Sequence, residues 1–276
     1  KIDNSNGDEQ DFKSYNQQEL KNLDKNLIKE TICTSGLWPT IRRRPFSKIA
    51  NPQTSPECIF VTASNTSPFS PSVKVLLNSI DFIDLQAGID ILKSLAGIDM
   101  HLVLPSEYKS EHLNNLSGIN IHTFSGPHPS GNVGYHISKI NPIKDKSTLV
   151  WYLSVQDLSA IGKLFLKGYI DWDKVVSIGG HPTNSYNKHY KVSQGSLLHD
   201  IVGEIDDSQN RLISGDVLSG KVSNLMNSLS FYDETISILR NTFDREFMGW
   251  IKPGFNKFSL SKTFLSKLLS SKVLSP

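Results

Sequence analysis

The sequence has no long apolar run. Its longest uninterrupted stretch is five residues, Leu149–Leu153, whereas a membrane-spanning helix needs about 20. We therefore expect no transmembrane segment. The 38% hydrophobic content, 20% charged content and mean hydropathy of -0.27 are typical of a soluble globular chain and exclude wholesale disorder, collagen and coiled coil.

Cysteine is scarce and charge is nearly balanced. Cys33 and Cys58 form no CxxC pair, which excludes a four-cysteine metal site and a disulfide framework. This usage favours a reducing compartment, although the sequence does not decide whether the two cysteines form a single disulfide with each other. Lys and Arg number 29 against 27 Asp and Glu, a net charge of +2. Such a small surplus does not predict nucleic acid as a partner.

The chain begins at Lys1 and shows no signal peptide, which suggests a piece of a longer protein. Residues 1–16 are polar and predict a flexible lead-in. From Gln17, apolar residues at three- and four-residue steps predict a helix that Gly36 ends.

Strand and helix patterns then alternate as far as residue 170. The predicted strands are four short apolar blocks: Cys58–Ala63, His101–Leu104, Ile119–Phe124 and Leu149–Leu153. Leu85, Ile89, Leu92 and Leu95 mark one helix between them. Another starts at the capping residue Ser154 and ends at Gly168. This alternation predicts a Rossmann-like α/β domain with a mostly parallel, doubly wound sheet over residues 17–170.

A different pattern starts at residue 171. Short β-like blocks separated by glycines, with one helical patch at Ser196–Val202, predict a β-grasp-like α+β module over residues 171–243. The fold class is therefore α/β plus α+β. Residues 244–276, rich in Phe, Lys and Ser, predict the start of a further C-terminal region.

Phosphate-binding motifs are weak. No GxGxxG follows the first predicted strand. The loop SGPHPSGNVG, with Gly126, Gly131 and Gly134, is either a binding loop or, the favoured interpretation, a structural one. In GDVLSGKV, Val222 stands where a phosphate loop needs a hydroxyl, which favours a β turn and a solvated Lys221.

Catalytic constellations are equally weak. His122, His128 and His136 share one segment, but nearness in sequence does not make them converge on a metal. His199–Asp200 and Asp206–Asp207 suit acid/base work, yet such turns are commonly just solvated. No GxSxG elbow occurs. We therefore predict no catalytic residue.

The segment LWPTIRRRPFSK concentrates cations and aromatic rings. Arg42 and Arg44 could hold an anionic or aromatic ligand, because guanidinium donates bidentately and stacks on rings. The segment could equally meet an acidic partner, or be a solvated connection that Trp38 and Phe46 anchor to the core. The sequence leaves all three open.

Several segments together resemble one family, the A subunit of the sodium-translocating NADH:quinone oxidoreductase of bacterial membranes. They occur in family order over about Ser35–Phe264: SGLWPTIRRRPFSK, IFVTASNTSP, GPHPSGNVGYHI, VWYLSVQDLSAIGKLFLKG, RLISGDVLSGK and DREFMGWIKPGFNKFS. The resemblance implies a Rossmann-like and a β-grasp domain. It also implies a longer natural protein at both ends, and Ser138 stands where the family tends to have a second histidine.

By the same resemblance, the protein is a peripheral subunit on the cytoplasmic face of the bacterial inner membrane. It binds no flavin, iron-sulfur centre or other redox cofactor, while NADH and flavins belong to partner subunits. The resemblance further implies a contribution to quinone binding, carried onto Arg42, Arg44, Phe46 and Lys48. Phe46 or Trp38 supplies a ring face in that arrangement.

Two other functions remain as alternatives. One is a stand-alone enzyme that binds a nucleotide in the Rossmann-like cleft. Tight NADH binding or a bound flavin in the isolated chain would support this alternative. The other is a pure assembly scaffold, for which replacement of Arg42 and Arg44 should impair complex formation.

Overall fold

The computed structural model describes residues 11–180, 188–206, 208–241, 247–249, 251–255 and 265. The chain forms two compact units, residues 1–239 and residues 240–276. The second unit is described only at residues 240–241, 247–249, 251–255 and 265, and Phe247, Ile251 and Phe255 are exposed there. The rest of the predicted C-terminal region, including Trp250, Phe264, Leu268 and Leu269, lies outside the described residues.

The described residues of the first unit form two sheets. The helices are α1 (Gln17–Leu20), α2 (Lys25–Thr34), α3 (Val73–Asn78), α4 (Phe82–Ala96), α5 (Glu111–Asn114), α6 (Val133–Ile140), α7 (Val155–Lys167) and α8 (Leu198–Val202), with a 3-10 turn at Trp38–Thr40. The strands are β1 (Arg42–Arg44), β2 (Lys48–Ile49), β3 (Cys58–Thr62), β4 (Asp99–Pro105), β5 (Asn120–Phe124), β6 (Val150–Ser154), β7 (Asp173–Gly180), β8 (Lys188–Ser193), β9 (Asn210–Ser214), β10 (Lys221–Ser223) and β11 (Thr235–Arg240).

The first sheet has the strand order β2-β1-β6-β3-β4-β5. Strands β6, β3, β4 and β5 are parallel, as the βα alternation predicts. Helices cover both faces. Helices α4 and α7 pack on one face over Ile59, Val61 and Leu102, and α6 packs on the other over Phe60 and Val103. The second sheet, β10-β9-β11-β7-β8, packs against α8. The predicted α/β plus α+β class is confirmed.

Local sequence explains the best-predicted helix. The Ser154 hydroxyl accepts a hydrogen bond from the Asp157 backbone N–H at 3.1 Å and so caps the start of α7. Gly168 ends the helix in a left-handed conformation, with φ +76°. Between these residues the apolar spacing buries Leu158, Ile161 and Phe165, as predicted.

Two predictions about the start of the chain need correction. The predicted single helix from Gln17 is two helices, because Asp24 caps α2 by accepting from the Asn26 and Leu27 N–H groups. Residues 11–16, which belong to the predicted lead-in, bond to the end of α7. There the Phe12 N–H donates to the Gly168 carbonyl and the Tyr15 N–H donates to the Phe165 carbonyl, both at 2.8 Å.

Candidate functional site

The arginine-rich segment is a β hairpin rather than a solvated connection. Strands β1 and β2 pair antiparallel, with Arg42 opposite Ile49. Strand β1 also joins the edge of the parallel strands, with Arg42 opposite Tyr152 and Arg44 opposite Val150 on β6. Because side chains alternate along a strand, Arg42 and Arg44 share one face of the sheet with Tyr152.

Arg42 is held between two aromatic rings. Its guanidinium lies 4.4 Å from the ring centroid of Tyr232 and 5.5 Å from that of Tyr152. Its Nη2 also donates to the Ser47 carbonyl at 2.7 Å, which closes the hairpin turn. The Tyr232 hydroxyl in turn donates to the Pro39 carbonyl at 3.0 Å. Arg42 therefore joins the hairpin to the loop before β11.

Arg44 has hydrogen-bonding capacity left over. Its guanidinium lies 5.6 Å from the Tyr152 ring centroid and beside Gly134 in the first turn of α6. The Arg44 Nε is shielded from solvent and has no hydrogen-bond acceptor within the described part of the chain. A shielded donor without an acceptor costs free energy, so this position favours a ligand that brings an acceptor.

Trp38 is a structural residue, which corrects the expectation that its ring could face a ligand. The side chain is buried, its Nε1 donates to the Ala50 carbonyl at 2.7 Å, and its ring meets Trp151 edge-on. Phe46, with 67% of its surface exposed, does not anchor the hairpin, and Lys48 is exposed as well. The hairpin thus presents Arg42, Arg44, Phe46 and Lys48 at one edge of the sheet, with Trp38 beneath.

Replacing Trp38 by phenylalanine should destabilise the chain by about 1–3 kcal/mol, because the buried Ala50 carbonyl loses its donor. Urea denaturation of the two chains checks this. Phe46→Leu serves as the control, and it should change the free energy of unfolding by less than about 0.5 kcal/mol, because the Phe46 side chain is mostly exposed. Equal effects of the two substitutions would contradict the anchoring role of Trp38.

Tyr152 and Tyr232 were not among the site residues predicted from the sequence. Tyr152 lies within the predicted strand at Leu149–Leu153, and the period-2 alternation of a strand could have placed it beside the arginines if the pairing of β1 with β6 were known. Tyr232 lies 190 residues after Arg42 and carries no local signal. Only the tertiary structure brings the two together.

The second sheet covers the carboxyl ends of β3 and β6, where a doubly wound fold usually holds its ligand. The Ser177 hydroxyl donates to the Phe69 carbonyl in the loop after β3. A Cβ at Gly179 would lie 2.4 Å from the Phe69 ring, so these two segments are in tight contact. These contacts occupy the crevice beside β3 and β6, whereas a cavity of about 400 Å³ stays open beyond the ends of β3 and β4, lined by Ala63, Asn65, Ser70, Val73, Pro105 and Tyr108.

A buried polar network occupies the same region. At the start of α7, Gln156 donates to Glu234 at 2.9 Å and accepts from the Val175 N–H at 2.7 Å. Lys174 Nζ lies 2.8 Å from Asp157 Oδ1. Burial and the nearby Asp157 carboxylate raise the pKa of Glu234. Burial lowers the pKa of Lys174, but Asp157, with smaller contributions from Glu234 and Tyr232, more than offsets this, so the pKa lies above the ordinary value.

The glycine-rich loops bind to their own chain. The Gly131 N–H donates to Thr66 Oγ1 at 2.9 Å, and Thr66 Oγ1 also lies 3.3 Å from His128 Nδ1. The loop 125–132 thus contacts its own chain, as the structural interpretation of this loop predicts. Residues 215–220 form the turn between β9 and β10, as predicted, and Asp216 accepts from the Leu218 and Ser219 N–H groups.

The histidines singled out by the sequence do not converge. Within the described residues, no group of three or more His, Cys, Asp or Glu side chains is arranged to hold a metal ion. His136 bonds to the Ser130 carbonyl, and burial lowers its pKa. His122 instead meets His101 of the neighbouring strand, with His101 Nδ1 at 3.1 Å from His122 Nε2. Burial lowers the pKa of both histidines of this pair.

Among the described helices, none has the length and apolar content needed to cross a bilayer.

The protein-family model described as the NqrA second alpha/beta domain matches residues 23–170, more than half of the chain. That match covers α2 to α7 and the whole first sheet, including the arginine hairpin.

Similar proteins agree with this match. The chain is 37% identical over 260 residues to the A subunit of the Na(+)-translocating NADH-quinone reductase of Histophilus somni strain 2336, covering 94% of this chain and 58% of the relative. It is 34% identical over 269 residues to the protein of the same name from Aliivibrio salmonicida, covering 97% of this chain and 59% of the relative. The chain thus spans under two thirds of the length of these relatives.

A solved structure shares the fold. A chain of an NAD+-reducing [NiFe]-hydrogenase in the H2-reduced state superimposes with a TM-score of 0.56 over 81% of this chain and 49% of that chain, at 13% identity. This likeness concerns the fold alone. The family model and the curated relatives agree on one assignment: the chain belongs to the NqrA family, that of the A subunits of Na(+)-translocating NADH-quinone reductases.

Proposed function

We propose that the chain works as part of a peripheral subunit of a Na+-translocating NADH:quinone reductase, on the cytoplasmic face of the bacterial membrane. The names of the relatives support this role. In this proposal the chain holds no redox cofactor of its own. NADH oxidation and flavin chemistry take place in partner subunits, and a Rossmann-like domain over residues 17–170 and a β-grasp-like domain over residues 171–243 provide docking surfaces.

The proposal includes a contribution of the arginine hairpin to quinone binding. One observation carries it: the Arg44 guanidinium lies over Tyr152 with a shielded Nε that has no acceptor in the described part of the chain. A quinone carbonyl oxygen is such an acceptor. A hydrogen bond from a cation is stronger than a neutral one and strengthens further as negative charge builds up on the oxygen during reduction.

The other hairpin residues have distinct roles in this proposal. Arg42 is already bonded to Ser47 and held between two tyrosine rings, so it shapes the site and adds positive charge. The exposed Phe46 ring offers a face for stacking, and the exposed Lys48 adds charge at the rim. Trp38 positions the hairpin from below through Ala50.

The contacts made by the loop after β3 speak against an independent nucleotide-binding enzyme. Backbone amides after a first Rossmann strand must reach a pyrophosphate, but the Phe69 carbonyl is bonded to Ser177 and the Phe69 ring packs on Gly179. A nucleotide bound between β3 and β6 would have to displace these contacts, and the cavity beyond β3 and β4 is lined by no glycine that would let a pyrophosphate approach the backbone. The hairpin, in contrast, lies at the edge of the first sheet and exposes Phe46 and Lys48.

Replacing Arg44 by alanine in the full-length subunit of an assembled complex should raise the KM for quinone roughly tenfold, as the loss of a charge-assisted hydrogen bond predicts. The measurement is steady-state quinone reduction by the purified complex. NADH oxidation with a soluble artificial acceptor should stay unchanged, because that reaction does not need the quinone site.

The control is Arg211→Ala, which removes an exposed arginine from β9 in the second sheet. It should leave the KM for quinone unchanged. Loss of assembly in the Arg44 variant would favour the scaffold role instead, and an unchanged KM in an intact complex would refute the quinone contact. Photolabelling with a reactive quinone gives an independent answer, since labels confined to other subunits contradict the site.

A further inference from the structure

Two histidines lie close together on adjacent strands, away from the arginine hairpin. His101 projects from β4 and His122 from β5, on the face of the first sheet that also carries Phe60 and Val103. Their facing nitrogens are 3.1 Å apart and their ring centroids 5.1 Å apart. Neither residue belongs to the site proposed above.

The 3.1 Å separation is that of a hydrogen bond between the two imidazoles, and it is also close to the separation of two imidazoles bound to one metal ion. A tetrahedral zinc ion about 2.0–2.1 Å from two imidazole nitrogens holds those nitrogens about 3.4 Å apart and the ring centroids about 5.2 Å apart. The observed separations differ from these values by a few tenths of an ångström. For an ion to replace the shared proton, the two nitrogens must move apart by a few tenths of an ångström and both rings must turn their lone pairs toward the ion.

The strands hold the pair in place before any ion binds. In the parallel register, His101 faces Asn120 and Val103 faces His122, so the backbone ladder fixes both Cα positions. The Phe60 ring packs on His101 at a centroid distance of 4.9 Å and restricts its rotation. A preformed pair pays little conformational entropy when it binds a ligand.

Access and charge also suit a cation. Strand β5 is the last strand of the sheet and His122 is half-buried, so an ion can approach from that edge, while His101 lies deeper with 9% of its surface exposed. The Asp99 carboxylate, two residues before His101 on β4, acts electrostatically on that imidazole. It contributes attraction rather than a third bond, because no third ligand among the described side chains is suitably placed.

We propose that His101 and His122 form a two-histidine site for a divalent transition-metal ion such as Zn2+, with water completing the coordination. Imidazole nitrogen is a ligand that Zn2+, Cu2+ and Ni2+ prefer, whereas Mg2+ and Ca2+ prefer oxygen. The site is therefore selective for the first group. This inference is independent of the proposed quinone contact.

Titration of the chain, without a histidine tag, with ZnCl2 against a chromophoric zinc indicator tests the site. We expect one equivalent to bind competitively. His122→Gln should weaken that binding roughly tenfold or more, because a single remaining imidazole is a poor ligand. His199→Gln removes an exposed histidine from α8 and should leave the affinity unchanged.

A second measurement guards against misfolding of the variant. Zn2+ should raise the thermal unfolding midpoint of the unsubstituted chain and of His199→Gln, but not that of His122→Gln. The midpoints without zinc show whether each variant is folded. Failure of the unsubstituted chain to compete with the indicator, or equal zinc affinity in a folded His122→Gln chain, would overturn the proposal.

Discussion

Replacing Gly162 by alanine should destabilise the chain by about 3 kcal/mol or more, because helices α4 and α7 touch at this residue. A Cβ at Gly162 would lie 1.8 Å from the Asp84 carbonyl oxygen and 2.5 Å from the Gly88 nitrogen. Both atoms belong to the backbone of α4, so no side-chain rotation relieves the clash. The helices must separate, which opens the core over Leu85, Leu158 and Ile161.

The matched control is Gly134→Ala in α6. It is the same substitution in a helix, but the new Cβ would meet only the Arg44 guanidinium at 3.9 Å, an ordinary contact. Alanine is also the better helix former, so this variant should be unchanged or more stable by up to about 1 kcal/mol. Urea denaturation measures the free energy of unfolding of both variants and of the unsubstituted chain. Similar free energies of unfolding for the two would show that α4 and α7 tolerate separation.

Replacing Lys174 by methionine should cost about 3–5 kcal/mol at neutral pH, because it leaves buried carboxylates without their cation. Lys174 Nζ lies 2.8 Å from Asp157 Oδ1, with 13% and 9% of the two side chains exposed. The positive charge of Lys174 also offsets part of the rise in the pKa of Glu234. Methionine fills similar space but supplies no charge.

The effect should shrink as the pH falls. The raised pKa of Glu234 means that the folded chain binds more protons than the unfolded chain between the ordinary carboxyl pKa and the raised one. Stability therefore increases as the pH falls through that range, and more so without Lys174. Denaturation of both chains at a series of pH values measures this. A pH-independent difference would contradict the charge argument.

Lys191→Met is the control for the lysine substitution. Its ammonium lies 3.3 Å from Asp173 Oδ2, but 61% of the Lys191 side chain is exposed. Exposed ion pairs contribute little, so this variant should lose less than about 1 kcal/mol. The double variant Lys174→Met/Glu234→Gln should recover part of the lost stability, because it removes one of the uncompensated carboxylates.

Local signals predicted the regular elements well. Ser154 and Gly168 bound α7 as expected, and the four apolar blocks between Cys58 and Leu153 became β3 to β6 with shifts of one or two residues. The short helices α3, α5 and α6 escaped prediction. Their stability comes from packing on the sheet, as for Ile137 on Phe60, rather than from a long periodic pattern.

The candidate site was predicted in part. The segment was correctly singled out, but three consecutive arginines do not look like a strand, and β1 exists because it pairs with β6 more than 100 residues later. Burial of Trp38 and exposure of Phe46 follow from that pairing. From the sequence, Trp38 and Phe46 were assigned the same alternative roles, whereas in the structure Trp38 is buried and Phe46 is exposed.

The sequence by itself determined the class of fold, the family and the segment that carries the arginines, because these depend on composition, periodicity and ordered motifs. Only the tertiary structure decided which groups meet: Arg42 with Tyr232, His101 with His122, and Gly162 with the backbone of α4. Such contacts join residues 21 to 190 positions apart. They depend on strand register and helix approach, which no local pattern encodes.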